Sequence, residues 1–331
     1  MGAITEAALP VFGPGPSQED VDRFEQLWGR DVMDNPRIGF NHLITTSCFL
    51  PRTDPGDIGM WQRRDGNLTM TMTRGPAMNP RTREVVLMGY PYGIWPRRFH
   101  SILNAEILRN KGARDIFCPA GFCGFFGPRL GGERIRGSKA LLTGGQNGNI
   151  TMMKTQFGRL IAANFVFFLL NEHKISMLYP ARLIESMDLW FQGEEEFWPG
   201  VFRVSQLYVD NLLENAVPID LNASACIRSS LEYDLYTWVT RRVYSLWERG
   251  ELSVKISWGS LQFQFGKSIR SADAFKQDFR AAVAHLRGFV YPDLNFRETR
   301  SGWELRRSKL AVEKRYWGVN VEPRQQTLFS S

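Results

Sequence analysis

The sequence predicts an α+β protein, rich in helices, whose helices and β-hairpins are divided between two successive domains. Two observations lead to this fold class. Apolar residues recur at spacings of three and four in several long segments, which is the period of an amphipathic helix. Between them lie short runs in which apolar and polar residues alternate, bounded by turn residues, as in β-strands. The chain has 331 residues and is 43% hydrophobic, so it is long enough to bury two cores.

The N-terminal part is predicted to hold an arm at residues 1–37 and a first domain at 38–195. The arm is rich in Gly, Pro and charge, with a short amphipathic helix at 18–28. In the first domain the tight-turn pair Asp65-Gly66 precedes alternating methionines and threonines, which predicts a hairpin. A glycine-rich, basic loop lies at 118–148. The predicted elements are hairpin strands at 58–64 and 67–74, helices at 94–110 and 149–164, and strands at 165–170, 175–178 and 187–191.

The C-terminal part is predicted to hold a second domain at 196–310 and a polar tail at 311–331. An acid-rich loop at 193–200 marks the boundary between the two domains. Ser257 and Gly266 are suited to begin and end a short helix between them. The predicted elements are helices at 205–214, 222–228, 230–248, 258–265 and 272–290, and strands at 295–298 and 303–307.

The order of helices and hairpin in the second domain indicates a winged helix. A short helix, a long helix and then a hairpin is the chain order of this variant of the helix-turn-helix. The first domain repeats a long amphipathic helix followed by strands. The sequence therefore predicts two tandem winged-helix domains with β-hairpin wings.

The polar faces of the two long helices are the candidate DNA-binding surface. In 272–290 an apolar stripe predicts the buried side, and the opposite side carries basic and amide side chains. Arginine can hold guanine and glutamine can hold adenine through paired hydrogen bonds in the major groove, and a basic turn can lie against phosphates. The alternative is that both are ordinary amphipathic surface helices. The candidate residues are Lys276, Gln277, Arg280 and Arg287 on the second helix, Arg300 in the hairpin turn, Thr151, Lys154 and Arg159 on the first helix, and Arg134, Arg136 and Lys139 in the glycine-rich loop.

Motifs for catalysis, metals and cofactors are missing from the sequence. The segment GERIRGSK at 132–139 lacks the lysine directly after glycine that a phosphate-binding loop requires. The four histidines occur singly, and Cys118 and Cys123 have no second Cys/His pair nearby, as a zinc site would need. We therefore predict a non-enzymatic protein with no catalytic residue, metal or cofactor.

Charge and hydropathy limit the partners and the cellular location that the sequence predicts. The net charge is +7 and the pI is about 9.3, which leaves nucleic acid, acidic protein and membrane surface open as partners. The longest apolar run, 165–170, is too short to span a bilayer, and four cysteines are too few for a disulfide framework. We expect a cytoplasmic protein with no membrane partner.

Three stretches resemble the plasmid-encoded RepA replication initiator family. The first is WQRRDGNLT at 61–69, and the second is PYG at 91–93 followed by Pro96-Arg97. The third combines VPIDL at 217–221, DLYTWVT at 234–240, ISW at 256–258 and LQFQFG at 261–266, in the family's order and with similar spacing. Their apolar periodicity predicts that the segments at 234–246 and 256–266 are scaffold, so their substitution should unfold the protein rather than abolish DNA recognition alone.

The resemblance implies both a fold and a function. It implies tandem winged-helix domains that bind double-stranded DNA at direct repeats (iterons) of a plasmid origin. It also implies recruitment of host replication proteins, such as the host initiator and helicase, and repression of the protein's own gene. A switch between monomers that initiate and homodimers that repress is a further implication.

The C-terminal tail resembles the short peptide with which bacterial proteins bind the sliding clamp. Leu328 and Phe329 would fill an apolar pocket, and Gln325 would form a hydrogen bond beside it. The alternative is a tail that contains Leu-Phe by chance.

Two other functions remain open at the level of sequence. A transcriptional repressor with the same winged helices would bind its own promoter without supporting replication of an origin. A protein-interaction module built from the same fold would show no preference for a DNA sequence and little salt dependence.

Overall fold

The computed structural model describes residues 38–42, 48–78, 82–110, 112–117, 122, 125–126, 149–171, 174–192, 196–266 and 271–312. The predicted arm helix at 18–28, most of the glycine-rich loop and the tail beyond 312 lie outside these residues. Arg134, Arg136, Lys139, Gln325, Leu328 and Phe329 are therefore not placed by it.

The described residues form a mixed α+β fold, as predicted. The strands are β1 (Ile38–His42), β2 (Trp61–Asp65), β3 (Leu68–Thr73), β4 (Pro76–Met78), β5 (Val85–Leu87), β6 (Asp115–Phe117), β7 (Asn164–Asn171), β8 (Lys174–Arg182), β9 (Ile184–Gln192), β10 (Glu196–Val204), β11 (Ala216–Asp220), β12 (Ser253–Ser257), β13 (Phe296–Thr299) and β14 (Gly302–Arg306). The α-helices are α1 (Ile94–Arg109), α2 (Asn149–Ala162), α3 (Gln206–Asn215), α4 (Leu221–Ala225), α5 (Ser230–Glu248), α6 (Trp258–Phe265) and α7 (Ala272–His285). The strands are numerous enough that the helix-rich part of the prediction is not confirmed.

A four-stranded antiparallel sheet with the order β2-β3-β7-β8 contains the predicted hairpin. Strands β2 and β3 pair from Trp61 opposite Met72 to Asp65 opposite Leu68. Gly66 closes the turn with φ 54°, a conformation that glycine adopts at no steric cost. Met70 and Met72 are buried, as the alternation predicts, but Thr71 between them is buried as well.

Two three-stranded sheets repeat one topology. The first has the order β6-β10-β9 and the second β12-β14-β13, so in each the strand nearest the N-terminus pairs with the last strand of the hairpin. A long helix precedes each sheet, α1 before β6 and α5 before β12. The N-terminal copy differs because the hairpin β7–β8 is inserted between α2 and β9.

Strand β10 corrects the predicted loop at 193–200. Residues 196–200 continue a strand that pairs with β9 and β6. The sequence did not predict this strand because Pro199 and the neighbouring acidic residues are typical of loops. The ladder tolerates the proline because the register shifts between Pro199 and Val201, as at a β-bulge. The domain boundary drawn at this loop stays a prediction.

Strands distant in sequence join the two halves of the chain. Strand β1 pairs with β11, from Ile38 opposite Asp220 to His42 opposite Ala216. All five residues of β1 are buried, and the buried apolar residues on both sides of the predicted boundary form one core. Sequence analysis predicted neither strand, because both lack the alternation of a half-exposed strand.

The long C-terminal helix is shorter than predicted. Helix α7 ends at His285, and residues Leu286–Val290 continue as one turn of π-helix rather than α-helix. Gly288 in this turn lowers the α-helical propensity. The predicted apolar stripe is buried nonetheless: Phe275, Phe279, Val283, Leu286 and Val290.

Gly93 precedes α1 and has a backbone conformation that favours glycine. Its replacement by alanine tests whether this conformation matters for stability. Its φ is 80° and its ψ is −164°, a region that only glycine occupies without strain. We expect Gly93→Ala to lower the free energy of unfolding by about 1–3 kcal/mol, measured by urea denaturation. A new Cβ would meet no atom within 4 Å, so the loss would come from the backbone alone.

Gly59→Ala is the matched control, because Gly59 is exposed and a Cβ there also meets no neighbour. Equal stability of the Gly93 and Gly59 variants would contradict the proposed strain.

Among the helices of the described residues, none combines the length and the apolar character that crossing a bilayer requires.

Candidate nucleic-acid interface

Helix α7 presents the outer face that the sequence predicted. Its N-terminus is capped by Ser271, whose side chain accepts a hydrogen bond from the Ala274 amide at 3.1 Å. Gln277, Arg280 and Arg287 are exposed, and Lys276 is half-buried. Small side chains at 281 and 284 and two exposed acids at 273 and 278 complete this face. The surface is therefore mixed in charge, with small residues toward its C-terminal end.

Arg280 connects the helix to the hairpin. Its guanidinium binds both carboxylate oxygens of Glu298 in β13, with Nη2 2.7 Å from Oε1 and Nε 3.0 Å from Oε2. This hydrogen bonding raises the pKa of Arg280. The guanidinium also lies 5.4 Å from the ring centre of Trp258. Arg280 must leave Glu298 to contact a base with the whole guanidinium fork, a constraint that the sequence did not reveal.

Trp258 is a second contact that sequence analysis missed. The Lys276 ammonium lies 5.9 Å from its ring centre and 3.9 Å from the Asp273 carboxylate. The same ring packs edge-to-face against Phe275, Phe279 and Trp303. The Trp258 ring thus contacts both basic side chains of α7, Lys276 and Arg280.

The turn between β13 and β14 is fixed against the start of α6. Arg300 is exposed in this turn, as predicted. The Trp258 amide donates to the Ser301 carbonyl at 3.0 Å. A side chain at Gly302 would collide with the carbonyl of Ile256 in β12, so glycine permits the close pairing of β14 with β12. The turn, α6 and α7 therefore form one connected surface.

Helix α2 carries the predicted residues of the N-terminal half, in two different settings. Thr151 and Thr155 are exposed and Lys154 is half-buried. Arg159 instead packs against the segment 54–92: it donates to the Asp54 carboxylate at 3.1 Å and to the Tyr90 carbonyl at 3.3 Å, and it lies 5.3 Å from the Tyr92 ring centre. Its guanidinium is thus held by protein contacts, and Thr151 is exposed on the same helix.

A buried ion pair lies behind these surfaces and links two of the motifs noted in the sequence. Arg97 donates to both oxygens of Asp234, at 2.6 and 2.9 Å. It also donates to the carbonyls of Leu50 and Gly93, each at 2.6 Å. Arg97 belongs to the PYG–PR segment and Asp234 opens DLYTWVT, so these motifs meet in space. Their contact supports the prediction that the second is scaffold.

Two further arginines hold the end of α6. Arg52 donates to the carbonyl of Phe265, and Arg63 donates to the carbonyl of Gln264. Both carbonyls lie in the last turn of α6, where backbone acceptors have no partner inside the helix. The segment 49–63 therefore orients the helix that precedes α7.

The described residues hold no group of His, Cys, Asp and Glu side chains arranged to bind a metal ion. Cys48 and Cys226 are buried thiols. Burial raises the pKa of Cys48 to about 12, so this thiol is not activated as a nucleophile.

Comparison with known proteins confirms the resemblance to plasmid RepA over part of the chain. The model of a family described as plasmid encoded RepA protein matches residues 128–260, which is less than half of the sequence. The match contains VPIDL at 217–221 and DLYTWVT at 234–240. No curated protein matches the chain.

Among solved structures, the chain is similar to domains 2 and 3 of RctB. The sequence identity is 11% and the TM-score is 0.47, over 82% of this chain and 97% of that chain.

Proposed function

We propose that this chain initiates plasmid replication by binding double-stranded DNA at direct repeats of an origin, without catalysing a reaction. The observation that carries the proposal is the match of residues 128–260 to plasmid encoded RepA protein. The exposed basic and amide side chains on α7 supply a surface suited to the major groove. The protein would act in the cytoplasm, recruit host replication proteins by contact, and repress its own gene.

Both halves of the chain would act as winged helices. The order α5, β12, α6, α7, β13, β14 with the sheet order β12-β14-β13 supports this assignment for the C-terminal half. The sheet β6-β10-β9 supports the same assignment for the N-terminal half. Helices α7 and α2 would then enter major-groove segments, and the turn with Arg300 would lie against phosphates.

Gln277 and Arg287 are the strongest candidates for direct contact with DNA. Gln277 is exposed on α7, and Arg287 is exposed in the π-helical turn that follows it. Arg280 would contact DNA only after exchange from Glu298. On the N-terminal half, Thr151 and Lys154 would contact the backbone or bases. Arg159 is expected to contribute less to DNA binding, because its guanidinium already donates to Asp54 and to the Tyr90 carbonyl.

The decisive experiment is fluorescence anisotropy with duplex DNA from around the protein's own gene and scrambled duplex of equal length. The measurement is repeated across a salt series. The proposal expects the native DNA to bind roughly a thousandfold more tightly or better, with affinity falling steeply as salt rises. Equal, weak binding of both duplexes would reject DNA recognition and favour a protein-interaction module.

A replication assay then separates initiator from repressor. A plasmid that carries the candidate origin should replicate only when the full chain is supplied. Binding and repression without replication would identify a transcriptional repressor.

Two variants test whether Arg280 contacts DNA. If it does, Arg280→Ala should weaken specific binding by about 1–3 kcal/mol. Glu298→Gln should bind as well as the unmodified protein or better, because it removes an acidic group and releases the arginine. Anisotropy on the native duplex at one fixed salt concentration measures both.

Arg306→Ala is the matched control for the change in charge, because Arg306 is exposed on β14 and pairs with Glu304. If both Arg280→Ala and Glu298→Gln weaken binding equally, Arg280 serves only to hold the hairpin against α7.

A further inference from the structure

An excess of buried positive charge surrounds the end of α6. Arg52, Arg63 and Arg97 lie within electrostatic reach of one another and share Asp234, and Arg63 also interacts with Asp65. Among the described residues, these three arginines face two carboxylates. Charges removed from water are stable only when they are paired. The cluster therefore has fewer anions than its cations require.

The pairing within the cluster is unequal. Arg97 occupies both oxygens of Asp234, and the Nε of Arg52 reaches the same carboxylate only at 3.5 Å. The Nη2 atom of Arg52 is buried and has no hydrogen-bond partner among the described residues. Arg63 contacts the Gln264 carbonyl and, within the part of the chain that the structure describes, no carboxylate directly. Arg52 and Arg63 are thus the two members with unused capacity for an anion.

Burial and repulsion from neighbouring arginines both lower the pKa values of Arg52 and Arg63. Burial lowers the pKa of Arg52 to about 10, and the neighbouring Arg97 and Arg63 add to this effect against the opposing pull of Asp234. Burial also lowers the pKa of Arg63. An anion beside them would offset both effects.

A cleft opens onto the same two arginines. It has a volume of about 200 Å³, which is room for several water molecules or one small oxyanion. Its lining combines Arg52, Thr53, Trp61, Gln62 and Arg63 with the apolar residues Phe49, Leu50, Pro51 and Pro55. The side chains of Arg52, Arg63, Thr53 and Gln62 are of the donor types that bind the oxygens of a phosphate.

We propose that the cleft between Arg52 and Arg63 binds a phosphate group. A phosphate there would neutralise part of the charge excess and reinforce the attachment of segment 49–63 to the end of α6. The phosphate could belong to the DNA backbone or to a small molecule in solution. This site is separate from the outer face of α7, so it does not depend on the base contacts proposed above.

The first test is the thermal unfolding midpoint of the full chain in inorganic phosphate against chloride, at equal pH and ionic strength. A ligand that binds only the folded state raises stability with its concentration. We expect a rise on the order of 2–4 °C at phosphate concentrations well above the Kd. Phosphate is kept below about 10 mM, because at higher concentrations it stabilises proteins by exclusion from their surface.

Variants assign the effect to the cleft. Arg52→Gln should abolish the rise, Arg52→Lys should retain part of it, and Arg306→Gln should leave it unchanged. If Arg52→Gln does not fold, Gln62→Ala and Thr53→Ala replace it, because both residues line the cleft with exposed side chains.

The salt dependence of duplex binding identifies the source of the phosphate. A DNA phosphate in the cleft would make the salt slope about one ion shallower in Arg52→Gln, whereas a free phosphate would leave the slope unchanged and raise only the midpoint. The inference is overturned if phosphate gives no midpoint rise and Arg52→Gln also leaves the slope unchanged.

An α7 variant separates this inference from the proposed function. Gln277→Ala combined with Arg287→Ala should lose DNA binding and keep the phosphate response. A chain that binds phosphate but no specific DNA would retain the cleft and reject the proposed function alone.

Discussion

Replacing Asp234 with alanine is expected to lower the free energy of unfolding by about 3–5 kcal/mol. The carboxylate is 4% exposed and its partner Arg97 is 5% exposed. The substitution would leave Arg97 buried without its anion and would remove the carboxylate nearest to Arg52. Removing one partner of a buried pair costs far more than the pair contributes in total, because the remaining charge cannot reach water. Urea denaturation followed by circular dichroism measures the loss.

Two controls separate this charge effect from packing. Asp234→Asn keeps the shape and one acceptor oxygen, so it should cost less than alanine. Arg97→Met combined with Asp234→Leu should recover part of the loss, because neither charge remains. If the single and double variants are equally unstable, the buried pair is not the cause of the loss.

The second large effect concerns the stability of the fold, which His100 and Asp220 are expected to change in opposite directions as the pH falls. Burial, with a smaller contribution from Arg97, lowers the pKa of His100 from its usual 6.5 to about 4. Between these values the unfolded chain binds a proton that the folded chain rejects. His100 therefore reduces stability as pH falls from 6.5, by about 3 kcal/mol at pH 4.

Asp220 acts in the opposite direction over nearly the same range. Burial raises its pKa from 3.8 to about 6, although the Asn222 and Ala223 amides donate to its carboxylate. The folded chain therefore takes up a proton before the unfolded chain does. Stability gains about 3 kcal/mol as pH falls from 6 to 3.8. The two contributions nearly cancel in the unmodified protein.

Single variants should expose each contribution. With His100→Gln, the free energy of unfolding should rise relative to the unmodified protein as pH falls from 6.5 to 4.5. With Asp220→Asn, which retains an N-cap residue for α4, it should fall over the same range. Urea denaturation at pH 4.5, 5.5 and 6.5 measures both, and curves parallel to that of the unmodified protein would contradict the assignment.

The parts of the fold that depend on nearby residues were predictable from the sequence. Helices α5 and α6 lie where their apolar periodicity places them, and the side chains of Ser229 and Ser257 cap them by accepting hydrogen bonds from the backbone amides of Glu232 and Ser260. Apolar periodicity and capping each depend only on residues that are close to one another in the sequence. The exposed positions of Gln277, Arg287 and Arg300 follow from the same local patterns.

The parts that depend on distant partners were not predictable. Strand β1 is buried at every residue, so it shows no alternation, and its partner β11 lies far along the chain. The pairing of Arg280 with Glu298 joins a helix to a strand, and that of Arg97 with Asp234 joins two helices. A sequence pattern shows that such residues are charged but does not show which of them meet.

The pairing of β1 with β11 sets an order of events during synthesis. A chain emerging from the ribosome carries β1 long before β11 exists, and the buried face of β1 stays without its partner until residue 220 has emerged. Contacts between such distant segments slow folding, because a long loop must close before the contacts form. The N-terminal half is therefore expected to stay partly folded until the segment that completes its core is translated.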